Sequence, residues 1–264
     1  MTGALSTEVI AALADELAEA DRAHTVIPRI TARHPEATIE DSYAIQRVWR
    51  DRQVAAGRTL VGRKIGLTSR AMQAATGISE PDYGVMFDDT VHRSGVVLEV
   101  DAFSNVRVEV ELAFRLASPL AGPDCTLEHV LAATASVVPA LEVLNSHIEL
   151  EGRTIVDTVA DNAAYGAMVL GETAKPPEDV DLRWVAALLA KNGTIEETGV
   201  AAGVLGHPAT GVAWLANKLH QHGDRLEAGE IILAGSFTRP LWVSRGDTVT
   251  CDYGPMGTIT CSFR

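Results

Sequence analysis

From Pro81 onward the chain breaks into short apolar segments punctuated by Gly, Asp and Pro, and that rhythm restricts the fold more than any other feature. Segments of strand length and character lie at residues 96–100, 106–116, 167–170, 231–233 and 248–253. Helical spacing interrupts them at 127–134, 182–189 and 211–220, so strands and helices neither alternate regularly nor separate cleanly. The reading is an α+β fold. A doubly wound sheet would repeat βα units, and neither G-x-G-x-x-G nor G-x-x-x-x-G-K-S/T occurs to support a nucleotide.

The first 80 residues read differently. Val9, Ile10, Leu13, Leu17 and Ala20 recur at helical spacing over residues 6–22, with Ser6 or Thr7 placed to cap the start. Thr38-Ile-Glu-Asp41 has the form of a capping box and opens a second helix that ends at Gly57. Residues 59–66 are β-branched and apolar around Lys64, and residues 68–75 fit a short helix before Gly77. The chain is expected to divide softly into a mainly helical portion, residues 1–80, that contributes Lys64, and a β-rich catalytic portion, residues 81–264.

Composition excludes several classes. At 264 residues, 47% hydrophobic and 22% charged, the chain can bury one sizeable core or two modest ones. Lys and Arg number 22 against 35 Asp and Glu, and a net charge of −13 has the wrong sign for a phosphate backbone, so no nucleic-acid partner is expected. Cys125, Cys251 and Cys261 are too few for a disulfide framework, form no C-x-x-C pair, and are expected to be small buried apolar residues. Glu8, Asp15, Glu16 and Glu19 lie where a signal peptide needs a basic region and an apolar core. The longest apolar stretch, from Val130, is broken by Pro139 and falls short of the roughly 20 residues a membrane span requires. A cytoplasmic protein without a membrane partner is expected.

The chemistry concentrates in carboxylates. In Val106-Arg-Val-Glu109-Val-Glu111-Leu-Ala-Phe114 two glutamates stand two residues apart in a strand-like run, on one face, with Cβ atoms roughly 6 to 7 Å apart. Such a pair either closes around a hard cation or forms the solvated face of an amphipathic strand. Glu142 interrupts the apolar run Val137-Val-Pro-Ala-Leu-Glu142-Val-Leu, where a carboxylate without a partner is costly. A metal shared with Glu109 and Glu111 would remove that cost, and so would an ion pair with Arg107 or Lys64. All-oxygen ligands favour Mg²⁺ or Mn²⁺.

Lys64, in Leu60-Val-Gly-Arg-Lys64-Ile-Gly-Leu, is either an outward strand lysine or a proton carrier whose charge is disfavoured by burial and a nearby cation. Asp82, in Glu80-Pro-Asp82-Tyr-Gly84, and Ser236 and Thr238, in Gly235-Ser236-Phe-Thr238-Arg239, add an acid and hydroxyls on segments that also read as turns. Asp161 and Asn162 either support a metal site from behind or cap a turn. His220 and His222 are too close for one helical face and are expected at the surface.

Taken together, these segments resemble the 2-hydroxypentadienoate hydratase and 2-oxohept-4-ene-1,7-dioate hydratase family of the fumarylacetoacetate hydrolase superfamily. The likeness rests on Gly62-Arg-Lys-Ile-Gly-Leu-Thr-Ser69, Ile78-Ser-Glu-Pro-Asp-Tyr-Gly84, residues 106–114, Val138-Pro-Ala-Leu-Glu142, Asp157-Thr-Val-Ala-Asp-Asn162 and Gly235-Ser-Phe-Thr-Arg-Pro240, and spans nearly the whole chain. The stretch from Asp181 to Leu219 looks most like the heptenedioate branch.

The resemblance implies a fumarylacetoacetate hydrolase-like β-rich core with a smaller helical N-terminal portion. It also implies Mg²⁺, with Mn²⁺ as second choice, bound by Glu109, Glu111 and Glu142, and catalysis by Lys64 and Asp82. Substrate contacts would come from Ser69, His147, Ser236, Thr238 and Arg239, and the chain would assemble into a homo-oligomer, a decamer in relatives. The implied reaction adds water to a small unsaturated 2-oxo or 2-hydroxy acid, with 2-oxohept-4-ene-1,7-dioate as first choice, in meta-cleavage catabolism of aromatic compounds. A 2-hydroxypentadienoate hydratase, a 2-oxo-3-hexenedioate decarboxylase and a non-catalytic partner subunit are the alternatives. In one place the sequence departs from the pattern: Leu144-Asn-Ser-His147-Ile carries a histidine where the family usually has arginine after the third metal ligand, which loses a two-pronged carboxylate contact unless Arg107 or Arg239 replaces it.

Overall fold

The computed structural model describes residues 3–69, 73 and 80–264, so most of the short helix expected over 68–75 lies outside the described residues. Helices α1 (Thr7–Ala23), α2 (Ile30–Arg33) and α3 (Ile39–Ala55) come first. Among the described residues the remaining helices are α4 (Leu127–Ala133), α5 (Ile155–Ala160) and α6 (Pro208–His220). The strands are β1 (Leu60–Gly66), β2 (Asp82–Phe87), β3 (Val91–Arg93), β4 (Val96–Leu98), β5 (Arg107–Leu116), β6 (Thr134–Leu144) and β7 (Tyr165–Leu170). They continue with β8 (Ala186–Lys191), β9 (Thr194–Val200), β10 (Ile231–Leu233), β11 (Leu241–Trp242), β12 (Thr248–Asp252) and β13 (Thr258–Phe263). Among the described residues no helix is long and apolar enough to cross a membrane.

Local signals account for the N-terminal helices. Ser6 caps α1, its side chain accepting from Val9 N–H, and the capping box of Thr38 and Asp41 opens α3. The Asp41 carboxylate does more than cap, because it also accepts from the N–H groups of Ala4 and Leu5 at 2.9 and 3.1 Å and so ties the N-terminal segment to α3. Asp41→Ala is expected to cost roughly 2 kcal/mol, the sum of a lost cap and two orphaned donors. A melting temperature within 1 °C of the parent, as an order-of-magnitude threshold, would remove this role.

Two sheets form the body. The larger runs β2-β1-β10-β5-β6-β7-β3 with β11 paired to β5, and the smaller runs β4-β13-β12-β8-β9. The soft boundary near residue 80 falls between β1 and β2, which are antiparallel neighbours in the larger sheet. Period-two alternation sorts β5 cleanly. Val108, Val110, Leu112 and Phe114 are fully buried in one core cluster with Val249, Cys251, Ile259 and Cys261 of the smaller sheet, so the main core lies between the sheets. Cys125 is buried as well. The other face of β5 carries Glu109, Glu111 and Ala113, and Ala113 packs with Met86 of β2, Met168 of β7 and Leu233 of β10. Strands from both flanks therefore meet over this face, and the large sheet is strongly curved.

Two expectations are corrected. Residues 182–189 are not a helix but a 3-10 turn, Leu182–Trp184, followed by β8. Ala187 and Leu189 point inward while Leu188 is exposed, so a two-residue period prevailed where the leucines suggested a helical one. The segment read as a turn around Asp82 is the wholly buried strand β2. The apolar stretch from Val130 divides into α4 and β6, with Pro139 opposite Leu112 and its carbonyl accepting from Gly171 N–H.

Candidate active site

Pairing register brings the three glutamates together. Glu109 of β5 stands directly opposite Glu142 of β6, and Glu111 is two residues along the same face, opposite Ala140. One carboxylate oxygen from each lies within 4.8 Å of the others, close to the roughly 4.1 Å between trans oxygens around Mg²⁺, so a small inward rotation of side chains closes the set. Like charges placed directly opposite repel. Among the described residues Glu111 Oε1 and Glu142 Oε2 have no hydrogen-bond partner, while Glu111 Oε2 accepts from Gly235 N–H at 2.8 Å. Gly235 is needed there: its φ is 117°, and a Cβ would sit 2.2 Å from Thr68 Oγ1.

Burial, then the charge of Glu142, raises the Glu109 pKa to about 7 and that of Glu111 well above the usual carboxylate range. Glu142 is raised by burial and pulled back by Lys64. Two buried carboxylates and a half-buried one that resist ionisation together, with orphaned oxygens and an all-oxygen donor set, fit a hard divalent cation.

Lys64 takes the place of the salt-bridge partner left open between it and Arg107. Its Nζ is 3.1 Å from Glu142 Oε1 and donates to Ala163 C=O at 2.9 Å. Burial disfavours the ammonium, yet Glu142, Asp82 and the other glutamates outweigh that and raise its pKa. β1 and β6 are three strand steps apart, about 14 Å on a flat sheet, so only the curvature closes this contact. Asp82 is also buried, its carboxyl pushed up by desolvation and drawn down by Lys64, Arg153 and Gly66 N–H. Gly66 lies between the two groups, since a Cβ there would be 2.2 Å from Asp82 Oδ1 and 3.3 Å from Lys64 Nζ. Arg107 instead donates to Ser146 Oγ at 2.8 Å and lies over the Trp242 ring.

A cavity of about 400 Å³ opens above the cluster, lined by Ser69, Glu109, Glu197, Ser236, Thr238 and Arg239 among others. Ser236 Oγ donates to Thr238 C=O, and the exposed Arg239 guanidinium pairs with Glu197 at 2.7 Å. The two-glutamate pattern made Glu109 and Glu111 findable, and a carboxylate interrupting an apolar run made Glu142 so. Gly235 N–H, the Ala163 carbonyl and Glu197 were missed, because a backbone group leaves no residue signature and Glu197 has only an ordinary strand context.

His147 lies apart from the glutamates. It lines a separate enclosed cavity of about 70 Å³, which shares no lining residue with the first and is bordered by Trp49, Phe87 and Tyr165. Its N–H and Nδ1 meet Asp161 at 2.7 and 2.9 Å, and its Nε2 lies 3.3 Å from Asp21. Asn162 bonds Val85, and neither it nor Asp161 hydrogen-bonds the glutamates. His220 and His222 are exposed.

Burial opposes the charged imidazole of His147, but the hydrogen bonds it donates to Asp161 and Asp21 raise its pKa to about 10. A raised histidine stabilises fully below its unfolded value and loses that contribution as pH climbs through its folded value. Denaturant unfolding is expected to show at most about 5 kcal/mol less stability at high pH, a loss that His147→Gln removes. Equal pH slopes for the two proteins would contradict it.

A family model described as fumarylacetoacetate (FAA) hydrolase C-terminal matches residues 56–264. The chain is 52% identical over 257 residues to the 2-oxo-hept-4-ene-1,7-dioate hydratase of Escherichia coli, covering 95% of this chain and 96% of that one. It is 35% identical to the 4-oxalocrotonate decarboxylase of Pseudomonas sp. strain CF600 over the full length of both. Among solved structures, 4-oxalocrotonate decarboxylase from Pseudomonas putida G7 complexed with magnesium and adipate superposes with a TM-score of 0.97 at 35% identity, over all of both chains.

Proposed function

Because this chain belongs to the fumarylacetoacetate hydrolase family, we propose that it is a cytoplasmic, divalent-metal-dependent hydratase converting 2-oxohept-4-ene-1,7-dioate to 4-hydroxy-2-oxoheptanedioate in meta-cleavage catabolism of aromatic compounds. The observation that carries the reading is 52% identity to a hydratase of that name over nearly all of both chains. Glu109, Glu111 and Glu142 would hold Mg²⁺, or Mn²⁺ as the next fit. When bound, the cation supplies positive charge where negative charge develops on the substrate's C1 carboxylate and C2 oxygen.

The reaction needs a proton removed from C3 and one delivered to C5, which brings the double bond into conjugation with the C2 carbonyl. Water oxygen then bonds to C4 while a proton arrives at C3, so the net change is one water added. Lys64 Nζ and the Asp82 carboxyl, flanking Gly66 beside the glutamates, are the groups assigned these transfers. Ser69, Ser236 and Thr238 line the cavity and would orient substrate oxygens, while Arg239 at its exposed side supplies a cation for the second carboxylate. His147, in its own cavity, is not assigned a substrate contact. The exposed Trp184, Leu188 and Ile195 support assembly into a homo-oligomer, a decamer by the resemblance.

Full-length 35% identity to a 4-oxalocrotonate decarboxylase, with a matching fold, favours decarboxylation as the second reading. Product-resolved NMR of 2-hydroxyhepta-2,4-diene-1,7-dioate, 2-hydroxypenta-2,4-dienoate and 2-oxo-3-hexenedioate, with Mg²⁺ or EDTA, separates them. Water addition to the seven-carbon acid that EDTA abolishes is expected. Carbon dioxide release from the hexenedioate alone would replace hydratase by decarboxylase.

A further inference from the structure

We propose that the run Asn162–Ala164 is the element that positions Lys64, and that a polar chain from Asp21 of α1 through His147 and Asp161 holds that run in place. The proposal rests on the reading of Lys64 as a proton carrier. Asn162, Ala163 and Ala164 have φ of 48°, 52° and 59°, the left-handed region in which Cβ crowds the backbone. Three successive residues with side chains hold such a conformation only where their surroundings impose it. Glycine would enter it freely. Here the sequence prefers other conformations, so the surrounding contacts decide.

Those contacts close on the run from three sides. Ahead of it, Asp161 takes two hydrogen bonds from His147, whose Nε2 reaches Asp21 at 3.3 Å. Behind it, Asn145 N–H donates to Ala164 C=O at 2.8 Å. Beside it, the Asn162 amide pairs with both the N–H and the C=O of Val85, three residues from Asp82 on β2. The result is a carbonyl, that of Ala163, turned 2.9 Å from Lys64 Nζ. A lysine on a flexible four-carbon stem is thereby fixed between two acceptors, Ala163 C=O and Glu142, instead of collapsing onto the carboxylate alone. His147 thus acts through Asp161, and α1 becomes part of the lysine's support. These are positioning residues.

The test uses the full-length protein loaded with Mg²⁺ and the variants Asp21→Asn, Asp161→Asn and Asn162→Ala. Turnover of 2-oxohept-4-ene-1,7-dioate is expected to lose about tenfold to a hundredfold in kcat, while KM and the Mg²⁺ titration stay within about twofold. In protein labelled with ¹⁵N-lysine, the Lys64 Nζ signal, assigned by its loss in Lys64→Arg, is expected to shift or broaden in each variant. Lower melting temperatures with wild-type kcat and an unchanged Lys64 signal would overturn the proposal. Asp21 is partly exposed, so Asp21→Asn decides the matter should Asp161→Asn not fold. Absence of turnover in the parent protein would count against the hydratase reading, and the ¹⁵N signal would still decide the positioning.

Discussion

Glu111→Gln is expected to raise the melting temperature of the metal-free protein by several degrees while removing the stabilisation that Mg²⁺ confers and lowering turnover by about 10²–10³. Without a cation, Glu109, Glu111, Glu142 and Asp82 surround one lysine, and every one of the four carboxyl groups is pushed above its ordinary pKa by burial. The folded state therefore holds protons that the unfolded chain releases, and its stability falls as pH rises from the ordinary carboxylate range through about 7, the value for Glu109. Glutamine relieves that repulsion. Its carbonyl still accepts from Gly235 N–H, and its amide donates to Glu142 where Glu111 Oε1 had no partner. It also removes one anionic ligand from the set of three. Melting curves in EDTA and in Mg²⁺, run across pH 5 to 8 as a rough working range, read both signs. A variant that melts lower in EDTA yet keeps the full Mg²⁺ shift would refute the cation site.

Lys64→Ala is expected to lower kcat by about 10²–10⁴ and to destabilise the metal-free protein by roughly 3–5 kcal/mol. Lys64 and Glu142 are an ion pair with both side chains almost wholly buried, at 3.1 Å, and removing the cation leaves a carboxylate in the interior without compensation. Mg²⁺ should restore much of the stability and none of the rate, because the metal neutralises Glu142 but carries no proton to substrate carbon. Lys64→Arg sharpens the distinction. A guanidinium keeps the charge but does not serve as a proton carrier, so its melting temperature should approach the parent's while kcat stays low. Wild-type kcat in Lys64→Arg would show that Lys64 supplies charge alone.

Much of this was legible in short stretches of chain. The alternation of Val106-Arg-Val-Glu-Val-Glu-Leu-Ala-Phe placed both glutamates on one face of a strand, and β5 keeps that pattern along its length. The Thr38–Asp41 capping box started a helix where it was expected. Local patterning was weaker where both faces of a segment are covered: β2, fully buried, lacks the alternation that marks a half-exposed strand and was read as a turn. In β8 the apolar residues fitted either period, and pairing with β12 and β9 decided between them.

The sequence by itself determined the secondary elements with a clear period, the chemical character of the acidic strand and the family to which the chain belongs, because these depend on residue type at fixed local spacing. Tertiary structure alone decided which groups meet. Register set Glu142 opposite Glu109, and sheet curvature carried Lys64 across three strand spacings to reach it. A left-handed turn aimed a backbone carbonyl at that lysine, and the buried Asp161 with the partly exposed Asp21 drew His147 into a separate cavity. Each of these contacts joins elements distant in sequence through geometry that no local pattern encodes.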